Sequence, residues 1–178
     1  MHWTERREQF RALIGSERCV NPGSVYDAVS ARVAEHVGYE VMVLPGSIAS
    51  MAVLGAPDVV VMTLSELAGL TSRINRAGTL PLLVDADHGF GNALNVRRTI
   101  EELESAGAAA ITIEDTILPK PFASSAMEFV TLEEGVAKMK AALDARQDPA
   151  LSVLARTNTA GSLGIDEAVR RARAYEKA

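Results

Sequence analysis

Two carboxylates stand at the end of an apolar run in the segment LPLLVDADHGFGNALN, residues 80–95. Asp85 and Asp87 follow a stretch that is typical of a buried strand, and two glycines and a helix start come after them. Two like charges this close repel each other by several kcal/mol where the local dielectric is low. A lone Asp-x-Asp can also be a helix cap or a turn, so its meaning depends on the groups that lie beside it.

Three further apolar runs end in polar or turn-forming residues. They are Val41–Leu44 followed by Pro45-Gly46-Ser47, Ala110–Ile113 followed by Glu114-Asp115, and Leu151–Ala155 followed by Arg156-Thr157-Asn158. In parallel α/β folds, ligands bind at the edge formed by the carboxyl ends of the strands. We therefore expect these residues and the two aspartates to lie along one edge.

The residue types at this edge favour a metal together with a small anion. Oxygen ligands without a cluster of histidine or cysteine suit a hard cation that keeps part of its water, which indicates Mg²⁺ or Mn²⁺. Backbone N–H groups in a turn at Gly46-Ser47-Ile48 suit an oxyanion, and Arg156 could hold a carboxylate by two hydrogen bonds. Taken singly, a glutamate such as Glu114 is more often structural, and an arginine at a strand end such as Arg156 more often pairs with a neighbouring acid. Together they predict a metal-plus-anion pocket, which explains the paired aspartates.

Other reactive or motif-like residues have simpler interpretations. His88 is expected to bond a backbone carbonyl, and Cys19 to be a small buried apolar side chain. Gly89 and Gly91 do not form a dinucleotide-binding fingerprint, because Leu94 stands where the third glycine belongs.

The strands that must position these residues alternate with helices along the chain. The predicted helices end at Gly38, Gly78 and Gly107, each just before an apolar run, and glycine readily adopts the left-handed conformation of a helix stop. Their starts show capping-box spacing at Ser24 with Asp27, Thr63 with Glu66 and Thr131 with Glu134. The apolar runs are nearly continuous, as in a parallel sheet that helices cover. Counting a short first strand at Cys19–Val20, the pattern predicts an α/β fold of about five strand–helix units.

Composition limits the classes of partner. The 178 residues are 48% hydrophobic and 23% charged, which predicts one globular domain over residues 1–178. The net charge of −5 argues against nucleic acid or an anionic membrane as a partner. A single cysteine excludes an intramolecular disulfide. The uncharged segment 41–57 is broken by proline and glycine and is short of the roughly 20 apolar residues of a membrane span. With no apolar signal-peptide core at the start, we expect a cytoplasmic protein.

Five motifs, in this order, resemble those of the isocitrate lyase / phosphoenolpyruvate mutase superfamily, and most closely its oxaloacetate decarboxylase branch. They are PGSIAS from Pro45, APD ending at Asp58, DADHGFGN from Asp85, TIEDT from Thr112 and ARTN from Ala155. The resemblance implies a (β/α)8 TIM-type barrel that binds Mg²⁺ and an α-keto or α-hydroxy acid and reacts through a metal-stabilised enolate.

The resemblance also implies roles for individual residues. Asp85 would be the direct metal ligand, and Asp58, Asp87 and Glu114 would hold metal-bound waters. Gly46, Ser47 and Ile48 would hold the carboxylate of the substrate, which Arg156 would also bind from the fifth strand. Asp58 has no role in the interpretation based on residue types alone.

Departures from the family pattern favour one reaction. Lyase members carry a K-[KR]-C-G-H loop after the fourth strand, whereas LPKPFASSAMEF at residues 118–129 has neither that cysteine nor the asparagine usual in the phosphonate branch. Loss of CO₂ from a β-keto acid requires neither group. We therefore expect Mg²⁺-dependent decarboxylation of oxaloacetate to pyruvate, with Mn²⁺ a possible substitute, a small α-keto dicarboxylate as substrate and a homo-oligomer in the full-length form.

Several alternatives remain open from the sequence. They are 2-methylisocitrate lyase activity, phosphonate C–P chemistry, a non-catalytic magnesium-binding barrel fragment, and a small phospho-receiver or aspartyl-phosphate phosphatase. Phospho-receivers and aspartyl-phosphate phosphatases place their key acids after the first strand, whereas Asp85 follows the third predicted strand. A (β/α)8 barrel takes about 250 residues, and this chain stops inside a predicted helix, Ile165–Ala178. The expectation is a chain that carries the first five or so of eight units.

Overall fold

The computed structural model describes residues 3–121 and 126–178 as one parallel sheet whose strands are connected by helices. Five strands lie side by side in chain order, each parallel to its neighbour. They are β1 (Gly23–Ser24), β2 (Met42–Leu44), β3 (Leu82–Asp85), β4 (Ala110–Glu114) and β5 (Ser152–Arg156). The helices of the described residues are α1 (Thr4–Ile14), α2 (Ala28–His36), α3 (Gly46–Leu54), α4 (Leu64–Ala77), α5 (Ala93–Ser105), α6 (Leu132–Ala145), α7 (Ala160–Leu163) and α8 (Ile165–Glu176). The predicted α/β fold is confirmed.

The first strand was predicted in the wrong place. It is Gly23–Ser24 rather than Cys19–Val20, because the Gly23 N–H donates to the Val41 carbonyl at 2.9 Å and starts the pairing with β2. Cys19 is exposed, so its interpretation as a buried apolar residue is also wrong. A strand of two small residues has no apolar run, and only its partner strand identifies it.

The helix signals are right at most ends and wrong at two. Thr63 forms the predicted capping box, whereas α2 is capped by Asp27 with Ser30, not by Ser24 with Asp27. Gly78 has an extended backbone (φ −122°) instead of the expected left-handed one. Arg6 explains the difference, because its guanidinium donates to the carbonyls of Asn75 and Gly78 at 2.9 and 2.6 Å and satisfies the end of α4 from outside.

The main core lies between the outer helices and one face of the sheet. Leu67, Ile74, Ile100 and Leu103 are fully buried in it, in one cluster with buried strand residues including Met42, Leu82, Val84 and Ile111. The opposite face of the sheet is covered near the amino ends of the strands by Phe10 of α1, which packs with Val41, Ala109 and Ala110. The carboxyl ends of the strands are left for polar groups.

Helix α1 is tied to the amino ends of the strands by a buried arginine. Arg7 donates to the carbonyls of Ala108 and Glu104 and to the Asp148 carboxylate at 3.1, 2.7 and 2.7 Å. This end of the sheet is therefore held by structural ion pairs, remote from the predicted site. Within the described parts of the chain, no helix is both long enough and apolar enough to cross a membrane.

Candidate active site

The last residues of β3, β4 and β5 bring two acidic side chains and one arginine together. Asp85 ends β3, Glu114 ends β4 and Arg156 ends β5. In the sheet Glu114 stands opposite Arg156, and Asp85 stands opposite Thr112, whose hydroxyl donates to Asp85 Oδ1 at 2.9 Å. The parallel register therefore places the three charged side chains side by side on one edge.

Arg156 bridges the two acids. Its Nη1 donates to Asp85 Oδ2 at 2.9 Å, and its Nε and Nη2 lie 2.8 and 2.5 Å from Glu114 Oε2. Burial acts to lower the pKa of Arg156, but the Asp85 and Glu114 carboxylates outweigh it and the pKa is raised. The guanidinium thus neutralises the acids of this edge, and a substrate carboxylate would share it with them.

Asp87 is a buried acid surrounded by other acids. Burial, the largest cause, and the charges of Asp85, Asp58 and Glu114 together raise its pKa to about 7, against the opposing effect of Arg156. Its backbone N–H donates to Asp85 Oδ1 at 3.1 Å. We call the four carboxylates of Asp58, Asp85, Asp87 and Glu114 the acidic cluster; all four had been singled out from the resemblance.

The acidic cluster has the chemistry of a magnesium site with few direct protein ligands. In the described parts of the chain, no three His, Cys, Asp or Glu side chains are arranged to hold a metal directly. The donors are oxygens alone, and the carboxylates of Asp85, Asp58 and Glu114 lie near enough to the buried Asp87 to raise its pKa in addition to the effect of burial. Mg²⁺ commonly binds through one or two carboxylates and keeps several waters. The residues present fit such an ion.

Gly46, Ser47 and Ile48, which were expected to lie in a turn, form the first turn of the helix α3. The first helical hydrogen bond of α3 runs from the Ala49 N–H to the Pro45 carbonyl, so the three preceding N–H groups lack partners within the helix. Such a helix start attracts anions through these N–H groups and the helix dipole.

The carboxylate of Asp87 lies against the start of α3. A Cβ added to Gly46 would stand 2.9 Å from Asp87 Oδ1, closer than such contacts normally come. Glycine at this position therefore permits the close approach of the acidic cluster to the anion-attracting helix end.

Asn158 belongs to the edge although no role was predicted for it. Its Nδ2 donates to Glu114 Oε2 at 2.6 Å and lies 3.5 Å from the Thr116 hydroxyl. Its position two residues after Arg156 was the available signal, since alternate residues of an extended segment face the same side.

Asp115, which follows Glu114, is directed away from the acidic cluster. Its Oδ2 accepts hydrogen bonds from Thr157, Arg171 and Tyr175 at 2.8, 3.0 and 2.8 Å. The buried Asp115 therefore joins α8 to the ends of β4 and β5 and has a structural role.

Within residues 3–121 and 126–178, the His88 ring forms no hydrogen bond to a backbone carbonyl, contrary to the prediction. Its Nδ1 is buried and has no hydrogen-bond partner among the described residues. Burial, followed by the charge of Lys138, lowers the pKa of His88 to about 4. The imidazole is therefore neutral at pH 7.

A cleft of about 600 Å³ opens beside the acidic cluster. Asp58 and Val59–Val61 line one side, and Leu118–Pro121 line the other. The segment 118–129 that lacks the lyase cysteine begins here, and its residues 122–125 lie outside the described residues.

Comparison with known proteins gives consistent matches over nearly the whole chain. The family described as phosphoenolpyruvate phosphomutase matches residues 10–178. The chain is 54% identical over 176 residues to the oxaloacetate decarboxylase of Bradyrhizobium sp. (strain BTAi1 / ATCC BAA-1182), covering 99% of this chain and 61% of that protein. The chain thus spans about three fifths of the length of this relative.

Solved structures match the fold equally well. Oxaloacetate acetylhydrolase in complex with the inhibitor 3,3-difluorooxalacetate has a TM-score of 0.89 at 28% identity, covering 98% of this chain and 61% of that one. Phosphonopyruvate hydrolase in complex with oxalate and Mg²⁺ also has a TM-score of 0.89, at 34% identity, covering 97% and 59%.

Proposed function

We propose a function from the premise that this chain belongs to the phosphoenolpyruvate phosphomutase family of the isocitrate lyase / phosphoenolpyruvate mutase superfamily. On this premise, the acidic cluster serves the Mg²⁺-dependent decarboxylation of oxaloacetate to pyruvate and CO₂. One observation carries the proposal. Two acids and Arg156 meet at the carboxyl edge of the sheet, in a chain that is 54% identical to an oxaloacetate decarboxylase.

Each residue of the acidic cluster has a proposed part in holding the metal. Asp85 would bind Mg²⁺ directly, and Asp58, Asp87 and Glu114 would hold its waters. When bound, Mg²⁺ supplies a Lewis acid for the negative charge that develops on the keto oxygen. Mn²⁺ fits the same oxygen donors, and the relative that holds Mg²⁺ together with oxalate supports a divalent ion beside a small dicarboxylate.

The substrate carboxylate next to the keto group would be bound by protein groups. The N–H groups of Gly46, Ser47 and Ile48, which have no partner within α3, would donate to it, and Arg156 would add a charge-assisted contact. Asn158 keeps Glu114 oriented through its 2.6 Å hydrogen bond. These contacts would leave the distal carboxylate free of a tight partner, which favours its departure as CO₂.

The bond changes need no side-chain nucleophile. The bond between the distal carboxyl carbon and the neighbouring methylene carbon breaks, and the carboxylate leaves as CO₂. The electron pair of this bond forms the enolate, and a proton added to the former methylene carbon gives pyruvate. A thiol has no part in this sequence, in agreement with the exposed position of Cys19 away from the edge. The proposal also includes a small α-keto dicarboxylate as substrate, a single domain over residues 1–178, a homo-oligomeric state and a cytoplasmic location.

The test is a pyruvate-release assay with oxaloacetate, run with Mg²⁺ and with EDTA. It compares the 178-residue chain with the same chain joined to the part of the Bradyrhizobium relative that the chain does not cover, because the chain spans only 61% of that protein. Metal-dependent pyruvate release in the joined protein is the expected result. Phosphonopyruvate and 2-methylisocitrate are parallel substrates, and turnover of either in place of oxaloacetate would assign a different superfamily activity.

A further inference from the structure

We propose that Lys138 is a positioning residue for the acidic cluster, acting from α6 through the backbone of the loop that follows β3. We call residues 86–92 the β3–α5 loop. The inference rests on the proposed function in that the acidic cluster is taken to bind Mg²⁺. Lys138 lies 50 residues after His88 in the sequence and touches the loop only in the folded chain.

Lys138 is buried where an apolar residue would be the usual choice. Its side chain belongs to the inward face of α6 and the residue is 1% exposed, with Met139 and Ala142 buried beside it. A buried ammonium loses its hydration and is retained in proteins where it has a specific partner. Burial lowers the pKa of Lys138, against the charges of Glu134, Asp115 and Glu114.

The partner of Lys138 is a backbone carbonyl of the β3–α5 loop. Its Nζ donates to the His88 carbonyl at 2.6 Å. The ammonium group therefore fixes the position of a peptide group, and no carboxylate of the described residues forms an ion pair with it. An ammonium bound to a carbonyl gives a stronger hydrogen bond than a neutral donor would.

The loop needs such restraint because its backbone is strained. Asp87 and Phe90 have left-handed conformations, with φ of 47° and 61°, which residues other than glycine rarely adopt. Strained residues of this kind persist only where surrounding contacts over-determine them. The Lys138 bond holds the carbonyl of His88, the first of the two residues between them.

Three further carbonyls of this loop also have donors, two of them from neighbouring elements and one from within the loop. The Glu114 N–H donates to the Asp87 carbonyl at 2.8 Å, the Gly89 N–H to the Ala86 carbonyl at 2.8 Å, and the Thr99 hydroxyl to the Gly89 carbonyl at 3.1 Å. With Lys138 on His88, each carbonyl from residue 86 to residue 89 has a donor. The path of the loop is therefore set by β4, α5 and α6 together.

The position of the loop decides where the Asp87 carboxylate lies. Asp87 Oδ1 stands so near the start of α3 that a single methyl group on Gly46 would come within 2.9 Å of it. A displacement of about 1 Å is enough to cost two orders of magnitude at a catalytic site. Loss of the Lys138 bond, which anchors the next residue, would displace or loosen this carboxylate.

The experiment uses Lys138→Met, which keeps an apolar stem and removes the donor, with Lys140→Met as the matched control on the exposed face of the same helix. Three quantities are measured on each: the melting temperature, the Mg²⁺ dissociation constant by calorimetry, and amide hydrogen exchange of residues 86–91. We expect Lys138→Met to weaken Mg²⁺ binding by about 10–100-fold, as changes that act through a ligand's supporting contacts do. Exchange in residues 86–91 should rise at least about tenfold, while α2 and α4 keep their protection and the control stays unchanged.

Two further variants make the result decisive. Lys138→Arg keeps a charged donor and should restore most of the protection of residues 86–91. Lys138→Gln, whose amide ends short of the ammonium position, replaces Lys138→Met in the comparison if the methionine variant does not fold.

A purely structural lysine would give a different pattern. Lower melting temperature with wild-type exchange of residues 86–91 and wild-type Mg²⁺ affinity would overturn the positioning role. If the wild-type protein binds no Mg²⁺, the proposed function fails, whereas the exchange of residues 86–91 still reports on Lys138. The two proposals therefore fail separately.

Discussion

Arg156 Nη1 lies 2.9 Å from Asp85 Oδ2, so the proposed metal ligand is already paired with a cation. The same guanidinium is bound to Glu114. In the proposed function, a divalent ion that enters the acidic cluster would compete with Arg156 for Asp85, and its entry would free the guanidinium for a substrate carboxylate. This pairing would then link metal binding to substrate binding.

Asp85→Ala should remove Mg²⁺ binding and with it pyruvate release. We expect the Mg²⁺ dissociation constant to rise by more than about 100-fold, beyond the 10–100-fold expected for Asp87→Asn or Glu114→Gln, which act through water. Calorimetric titration measures all three, with Asp144→Ala on the exposed side of α6 as the control. An unchanged Mg²⁺ requirement in Asp85→Ala would show that the metal lies elsewhere.

Arg156→Lys should impair substrate binding although the charge is kept. A lysine cannot bind Asp85 and Glu114 as the planar guanidinium does. We expect KM for oxaloacetate to rise about tenfold, equivalent to about 1.4 kcal/mol, while the Mg²⁺ dissociation constant stays within about threefold. Equal KM in the two proteins would exclude Arg156 from substrate binding.

Gly46→Ala should disturb the acidic cluster because the new methyl group meets Asp87 Oδ1 at 2.9 Å. Overpacking of this kind typically costs about 1–3 kcal/mol of unfolding free energy, and we expect weaker Mg²⁺ binding as well. Gly161→Ala is the control, since its Cβ would meet no described heavy atom within 4 Å. Urea unfolding and Mg²⁺ titration test both, and equal behaviour of the two variants would contradict the close packing.

Tyr175→Phe should reduce stability without affecting the metal. The Tyr175 hydroxyl donates to the buried Asp115 at 2.8 Å, and a hydrogen bond to a charged group contributes about 1.5–3 kcal/mol. Urea unfolding should show a loss of that size, and Tyr39→Phe, at a 40% exposed position, should show little change. A large loss of Mg²⁺ affinity in folded Tyr175→Phe would mean that Asp115 belongs to the site after all.

Cys19→Ser should leave decarboxylation unchanged. The thiol is exposed and lies outside the acidic cluster, and no bond change in the proposed reaction uses it. The pyruvate-release assay measures this directly. A fall of several orders of magnitude in folded protein would restore thiol-dependent cleavage as a candidate reaction.

The sequence alone determined the elements whose signals are local. The strands β2 to β5 coincide within about a residue with continuous apolar runs, the pattern typical of the strands of a parallel sheet that helices cover. It also determined which edge to examine, because ligands of parallel α/β folds gather at the carboxyl ends of strands. Asp85, Glu114 and Arg156 were chosen by that rule and lie together.

Only the tertiary structure decided the contacts between distant segments. The strand β1 exists through its pairing with β2, and Gly78 is extended because Arg6 satisfies the end of α4. Asp115 stands next to Glu114 in sequence yet binds α8, because adjacent residues of a strand face opposite sides.

Lys138 shows most clearly where sequence reasoning ends. Its position among the apolar residues of α6 predicts only that one charge of an amphipathic helix faces inward. Its partner is a carbonyl 50 residues earlier, in a loop whose strained backbone has no signature of its own. The type of a residue indicates whether its side chain prefers water or the core. The hydrogen-bond donor of a buried backbone carbonyl, in contrast, depends on the packing of elements that are far apart in the chain.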